Sequence, residues 1–174
     1  MANLKPPVNE HDHYTGNTNA SITLVEYGDY ECSHCAHAHP LLKQLLEEKG
    51  DDFEFVFRNF PLNEVHPLAM LSALAAEAAG KQHKFWEMHD MIYENQAQLN
   101  RDSFVDFAEA LSLNLEKFAA DLQSEATTSK VENDFESGIR SGVNGTPSFF
   151  INGRKLNSYD GTYESLKNAL TQQE

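Results

Sequence analysis

The strongest constraint in this sequence is a pair of cysteines, Cys32 and Cys35, set where a strand-like run gives way to a helical period. Ile22-Thr23-Leu24-Val25-Glu26-Tyr27 is rich in β-branched residues and stops at Gly28-Asp29, which predicts a strand buried on both faces. Beyond the cysteines, Leu41, Leu42, Leu45 and Leu46 recur at helical spacing as far as Lys49, and Gly50 supplies a stop. Strand, short turn and helix follow one another, and Cys32-Ser33-His34-Cys35 opens the helix. Pro40 falls inside it, removes one backbone hydrogen bond and predicts a bend.

The rest of the chain sorts by period. Phe53, Phe55 and Phe57 alternate with Glu54, Val56 and Arg58, a half-buried strand closed by Pro61. From Glu64 to about Arg140 the period is helical throughout. Pro67 is expected at a first helical position, and the Ala-rich stretch from Leu68 to Ala79 ends at Gly80. Phe85, Met88, His89 and Ile92 mark the next helix; Asp102 or Ser103, then Asn114 and Ser124, are placed to cap three more. Ser148-Phe149-Phe150-Ile151, the pair Asn152-Gly153 and Arg154-Lys155-Leu156 predict a hairpin with a type I′ turn. Tyr163, Leu166, Ala169 and Leu170 give a last helix its apolar face.

This order predicts an α/β chain: a small mixed sheet flanked by helices, with a helical domain inserted between the two halves of the sheet. Residues 1–20 are polar and carry Pro6, Pro7 and Gly16, so they are expected to form an arm laid over the body. Residues 21–62 and 141–174 would build the sheet domain. Residues 63–140 would be the insertion, with room for its last helix to pack on the sheet.

A chain of 174 residues is long enough to bury roughly 70% of its extended surface, so its core needs neither a metal nor a disulfide framework. The two cysteines are left free for chemistry. The 13 basic residues against 27 acidic ones, a formal charge of −14, argue against binding a phosphate backbone. The richest apolar stretch, Leu68 to Ala79, falls short of the roughly 20 residues that span a bilayer, so no membrane insertion is expected. No secretory leader is read in the first twenty residues, which makes the expected location cytoplasmic, or periplasmic or extracellular if a leader was trimmed. A monomer is the default expectation.

The chemistry follows from position. A cysteine at a helix N-terminus faces unpaired N–H groups and the positive end of the helix dipole, which favour the thiolate. Cys32 is the expected nucleophile. Cys35, one turn on and beneath it, is expected to resolve the mixed disulfide formed with a substrate. His34, by charge or hydrogen bond, is expected to stabilise the Cys32 thiolate. Glu26 is a carboxylate in an apolar strand; pointing inward it would carry a raised pKa and relay the Cys35 proton, whereas pointing outward at a sheet edge it would do nothing. Thr146-Pro147, directly before a strand, is a place where a cis peptide is tolerated and where an exposed backbone edge can pair with an extended substrate; the alternative is an ordinary turn.

A second reading uses the same residues as ligands. Cys32, Cys35 and His39 share a helix face, so a metal-binding or metal-transfer module is the rival to redox chemistry. Two buried, unreactive cysteines are the third possibility.

With Gly28-Asp29-Tyr30-Glu31-Cys32-Ser33-His34-Cys35 and Gly145-Thr146-Pro147-Ser148-Phe149-Phe150-Ile151-Asn152-Gly153 both present, the sequence resembles the DsbA-like thiol–disulfide oxidoreductases of the thioredoxin superfamily. Phe57-Arg58-Asn59-Phe60-Pro61-Leu62, His66-Pro67 and the pair Phe85-Trp86 extend the likeness over most of the chain. The resemblance implies a thioredoxin fold interrupted by a helical domain, nucleophilic Cys32, resolving Cys35, cis Pro147 beside them and Glu26 as proton relay. It also implies protein thiols and disulfides as substrates, an unidentified redox partner, and no cofactor or metal. Many relatives carry Pro at the position of Ser33, which leaves the reduction potential and the direction of exchange open.

Overall fold

The computed structural model describes residues 2–171. Along the chain the elements run β1 (His13–Gly16), β2 (Ile22–Gly28), α1 (Ser33–Lys49), β3 (Phe53–Asn59), α2 (Ala69–Gly80), α3 (Phe85–Glu94), a 3-10 turn at Gln96–Gln98, α4 (Ser103–Ala110), α5 (Leu115–Leu122), α6 (Glu125–Arg140), β4 (Ser148–Ile151), β5 (Arg154–Lys155) and α7 (Tyr163–Thr171). The strands form one sheet in the order β1-β3-β2-β4-β5. β2 is parallel to β3 and antiparallel to β4, as a βαβ unit followed by a hairpin requires. This is the thioredoxin-like arrangement, with the helices α2 to α5 standing between its two halves.

Each face of the sheet has its own core. On one, Leu24, Phe53, Phe55, Phe149 and Ile151 pack against Ala38, Leu42 and Leu45 of α1 and Leu166, Ala169 and Leu170 of α7. Each large side chain so buried stabilises the fold by about 1.5–3 kcal/mol. On the other face, Val25, Tyr27, Val56, Phe60 and Phe150 meet Leu4 and Val143, and Phe60 stacks on Phe135 of α6 with ring centroids 4.5 Å apart. The approach of α6 is close enough to require glycine: a Cβ at Gly138 would sit 2.6 Å from the Phe60 ring. α6 therefore lies on the sheet.

Local signals hold well. Asn114 caps α5 by accepting from the Lys117 N–H at 2.8 Å, and Ser124 caps α6 by accepting from Thr127 at 3.2 Å. Asn152 and Gly153 both have positive φ, as a type I′ turn demands.

Three expectations are corrected. Residues 1–20 are more than an arm: His13–Gly16 pair with β3 as the sheet's edge strand. That strand is four residues long and alternates between half-buried and exposed, too weak a signal to read locally. β3 is buried on both faces rather than one, because α6 and the N-terminal segment cover the side that carries Val56 and Arg58. Pro67 lies in a turn, and α2 begins two residues later at Ala69.

Candidate active site

β2 and α1 bring the cysteine pair to the edge where the sheet meets the helical block. Cys32 is the N-cap residue of α1, with extended backbone angles (φ −71°, ψ 121°), so its sulfur sits over the unpaired N–H groups of the first turn. Its own N–H donates to the Asp29 carbonyl at 3.1 Å. The two cysteines are not joined by a disulfide. Cys32 retains 6% exposure and Cys35 none, so one sulfur fronts the surface and the other lies beneath it.

The two thiols are driven apart in acidity. A hydrogen bond from the Cys35 thiol, outweighing burial and joined by Thr146 and by the N–H groups of Cys35 and His34, lowers the Cys32 pKa to about 5. Burial and that same donated hydrogen bond push Cys35 well above the ordinary thiol range. One is a thiolate at neutral pH, the other a thiol.

Glu26 points inward. It is 1% exposed, in register with Phe57 on one side and Phe149 on the other, and its Oε1 has no hydrogen-bond partner. Burial first, and the Cys32 charge second, raise its pKa to about 8. The Cys35 thiol responds to the Glu26 charge in turn. Thr146 and Pro147 stand across from the motif: their peptide bond is cis, and Cys32 Sγ lies 3.4 Å from the Thr146 carbonyl oxygen, to which it donates when protonated. The turn borders a cavity of about 480 Å³ that extends past Asn157 to Tyr159. A larger cavity of about 560 Å³ lies away from the sulfurs, among Asp12, Arg58, Lys130 and Asp134. Those charges satisfy one another, so the smaller cavity is the one that adjoins reactive chemistry.

His34 requires correction. Its side chain is exposed and makes no hydrogen bond among the described residues; its contribution to the sulfur comes through its backbone N–H. The metal reading is corrected as well. Cys32, Cys35 and His39 share a helix but their donor atoms do not converge; His39 turns instead toward His89 and Asp90 of α3.

Several supporting residues escape a reading of the sequence. Asp29, 1% exposed, accepts from the N–H groups of Glu31 and Leu62, each at 2.8 Å, and its Oδ2 lies 2.8 Å from His66 Nδ1, while its own N–H donates to Cys35 Sγ at 3.5 Å. Burial works against a charge on His66, yet the Asp29 hydrogen bond and charge, helped by Cys32 and Glu31, raise its pKa. Gln96 Nε2 donates to the carbonyls of Tyr30 (2.8 Å) and Cys32 (3.0 Å), tying the motif to the helical block. The Asp two residues before Glu31 carried an Asx-turn signal; nothing local pointed to His66 or Gln96.

Comparison with known proteins agrees with this fold. The family model described as thioredoxin matches residues 8–172. The chain is 40% identical over 174 residues to a Na(+)/H(+) antiporter NhaA 1 of Salinispora arenicola, a match that takes in 98% of this chain and 26% of that protein. The chain thus spans about a quarter of the length of the curated relatives it matches. Among solved structures, BdbD from Bacillus subtilis superposes with a TM-score of 0.83 at 23% identity, covering 98% of this chain and 97% of that one. A thioredoxin-like oxidoreductase from Silicibacter pomeroyi gives 0.82 at 22% identity, with 95% and 93% covered.

Proposed function

The chain belongs to the thioredoxin family, and we propose on that premise that it is a thiol–disulfide oxidoreductase exchanging disulfides with protein substrates through Cys32 and Cys35. One observation carries the reading: Cys32 caps the N-terminus of α1 at 6% exposure, facing the Thr146 carbonyl, with Cys35 fully buried one turn below it. The Cys32 thiolate attacks a substrate disulfide, forming the mixed disulfide and releasing one substrate sulfur as thiolate. Cys35 then attacks Cys32 Sγ; its proton goes to the ionised form of Glu26, which the loss of the Cys32 charge in the mixed disulfide favours, its electron pair forms the Cys32–Cys35 bond, and the second substrate sulfur leaves reduced. Run backward, the same steps oxidise a substrate dithiol. The Thr146–Pro147 turn and the cavity beside it would seat the extended chain that carries the substrate sulfur.

The direction leans toward oxidation. With Cys32 at about 5 rather than 9, the dithiol form gains about two pKa units of stabilisation at pH 7, or roughly 60 mV toward a more oxidising disulfide. Ion transport, the activity named for the antiporter relatives, is not assigned to this segment. No helix among the described residues is long and apolar enough to cross a membrane.

Incubation of the oxidised protein with a reduced test protein, followed by thiol counting on both, tests the reading. Transfer of one disulfide per molecule is expected. Cys32→Ser should abolish transfer, and Cys35→Ser should accumulate a mixed disulfide through Cys32. Absence of exchange in either direction, with no trapped species in Cys35→Ser, would falsify it.

A further inference from the structure

His39 is the one buried polar side chain of the Cys32-to-His39 stretch, and the exchange chemistry leaves it without work. It is 6% exposed, and its Nε2 is buried with no hydrogen bond. A polar nitrogen in that position loses its water and gains no hydrogen bond in return, unless something else takes its lone pair. The groups around it are suited to share a cation. Asp90 Oδ1 lies 3.4 Å from His39 Nε2, and the donor atoms of His39, His89 and Asp90 all fall within 4.8 Å of one another. The two imidazole rings meet edge to face with centroids 5.4 Å apart.

Supports stand behind two of the three donors. The Nδ1 of His89 is 2.9 Å from the Tyr30 hydroxyl, an arrangement that fixes the ring and leaves its other nitrogen available. Oδ2 of Asp90 takes Lys43 Nζ at 3.1 Å, which leaves Oδ1 aimed at His39. Lys43 is itself shared with Glu94 at 2.9 Å, so Asp90, Glu94 and Lys43 together carry one net negative charge. Ligands about 2.0–2.1 Å from a tetrahedral ion sit roughly 3.4 Å apart, so closing the cluster takes about an ångström of movement, within reach of the half-buried Asp90 side chain.

We propose that His39, His89 and Asp90 form a binding site for a divalent transition-metal ion of the zinc class, separate from the cysteine pair. Two imidazoles and a carboxylate suit Zn2+, Co2+, Ni2+ or Cu2+ and disfavour Ca2+ and Mg2+, which take oxygen ligands. Three protein donors leave a further position for water. The bound ion would clamp α1, which carries the cysteines, to α3 of the helical block.

The test uses the full chain, free of any histidine tag, with Cys32 and Cys35 joined as a disulfide so that no thiolate competes. Co2+ is titrated in while the visible spectrum is recorded, then displaced with Zn2+. One equivalent of Co2+ is expected to bind with d–d absorption and no thiolate charge-transfer band, and Zn2+ should raise the thermal midpoint. His39→Gln should abolish binding. Asp90→Asn, at a half-buried position that does not endanger folding, should weaken it by more than about a hundredfold, beyond the loss that follows removal of a supporting residue. No saturable uptake by the oxidised protein, or equal uptake by Asp90→Asn, overturns the proposal. Disulfide exchange is unaffected by either result, so the site stands or falls apart from the redox reading.

Discussion

Two carboxylates are buried on opposite sides of the same pair of strands, and they behave in opposite ways. Glu26 in β2, beneath the cysteines, has an oxygen with no partner, and burial raises its pKa to about 8. Asp12, on the far face, receives Arg58 Nε and a terminal guanidinium nitrogen, each at 2.8 Å. Burial pushes Asp12 upward too, but the Arg58 hydrogen bonds and charge outweigh it and hold the carboxyl below its ordinary value. Arg58 also donates to the carbonyls of Pro6 and Pro7 and to the Tyr27 hydroxyl, which leaves the guanidinium fully engaged. A buried acid with a complete set of partners is locked in one state and serves the fold; one left without partners titrates near neutrality and can move a proton.

Breaking the partnered side should have the largest effect. Asp12→Ala strands the Arg58 guanidinium at 2% exposure. Removing one member of such a pair is expected to destabilise by about 3–5 kcal/mol. Urea denaturation at pH 7 measures it, with the glutathione equilibrium of the cysteines unchanged. A loss below about 1 kcal/mol would mean that water reaches Arg58 and that the far face is not closed. For wild-type Asp12, whose pKa is lowered, the stabilisation is present above the unfolded value near 3.8 and is lost as pH falls through the folded value.

The unpartnered side should give the opposite pH slope. Glu26 is raised from 4.5 to about 8, so between those values the unfolded chain has released a proton that the folded protein still holds. Stability attributable to this residue therefore falls as pH rises, by about 2–3 kcal/mol from pH 5 to pH 7. Glu26→Gln should remove that slope and stabilise the oxidised protein at pH 7, while slowing the resolving step because Cys35 loses its proton acceptor. Parallel denaturation curves for wild type and variant at pH 5 and pH 7 would show that Glu26 is not held neutral.

The same contrast separates what could be read in the sequence from what could not. The strand–turn–helix around Cys32 and Cys35, the Asn152-Gly153 turn and the caps at Asn114 and Ser124 are local events, governed by residues within a few positions of one another. Glu26 stood out because a carboxylate in an apolar run is a local anomaly. Asp12 and Arg58 are 46 residues apart, and His66 is 37 from Asp29; no periodicity encodes such pairings. β1 remained hidden for the same reason, since its pairing with β3 makes it a strand rather than any propensity of its own. His39 was assigned to the cysteines because helical spacing is visible in sequence, whereas the helix packed against its other side is not.

The smallest expected effects lie around the Cys32 sulfur, and they sharpen which donors hold its charge. Thr146→Val removes a buried hydroxyl that has no hydrogen-bond partner of its own and can turn to the Cys32 thiolate, an interaction worth about 1 kcal/mol, so the Cys32 titration should rise by somewhat less than one pKa unit. His34→Ala should move it by less than about half a unit, because the exposed imidazole is screened by solvent and the N–H that serves the sulfur belongs to the backbone, which alanine keeps. Thiolate absorbance against pH distinguishes the two. A larger shift in His34→Ala than in Thr146→Val would transfer the role back to the imidazole, and with it the view that fixed, short-range donors rather than a mobile surface charge set the acidity of this thiol.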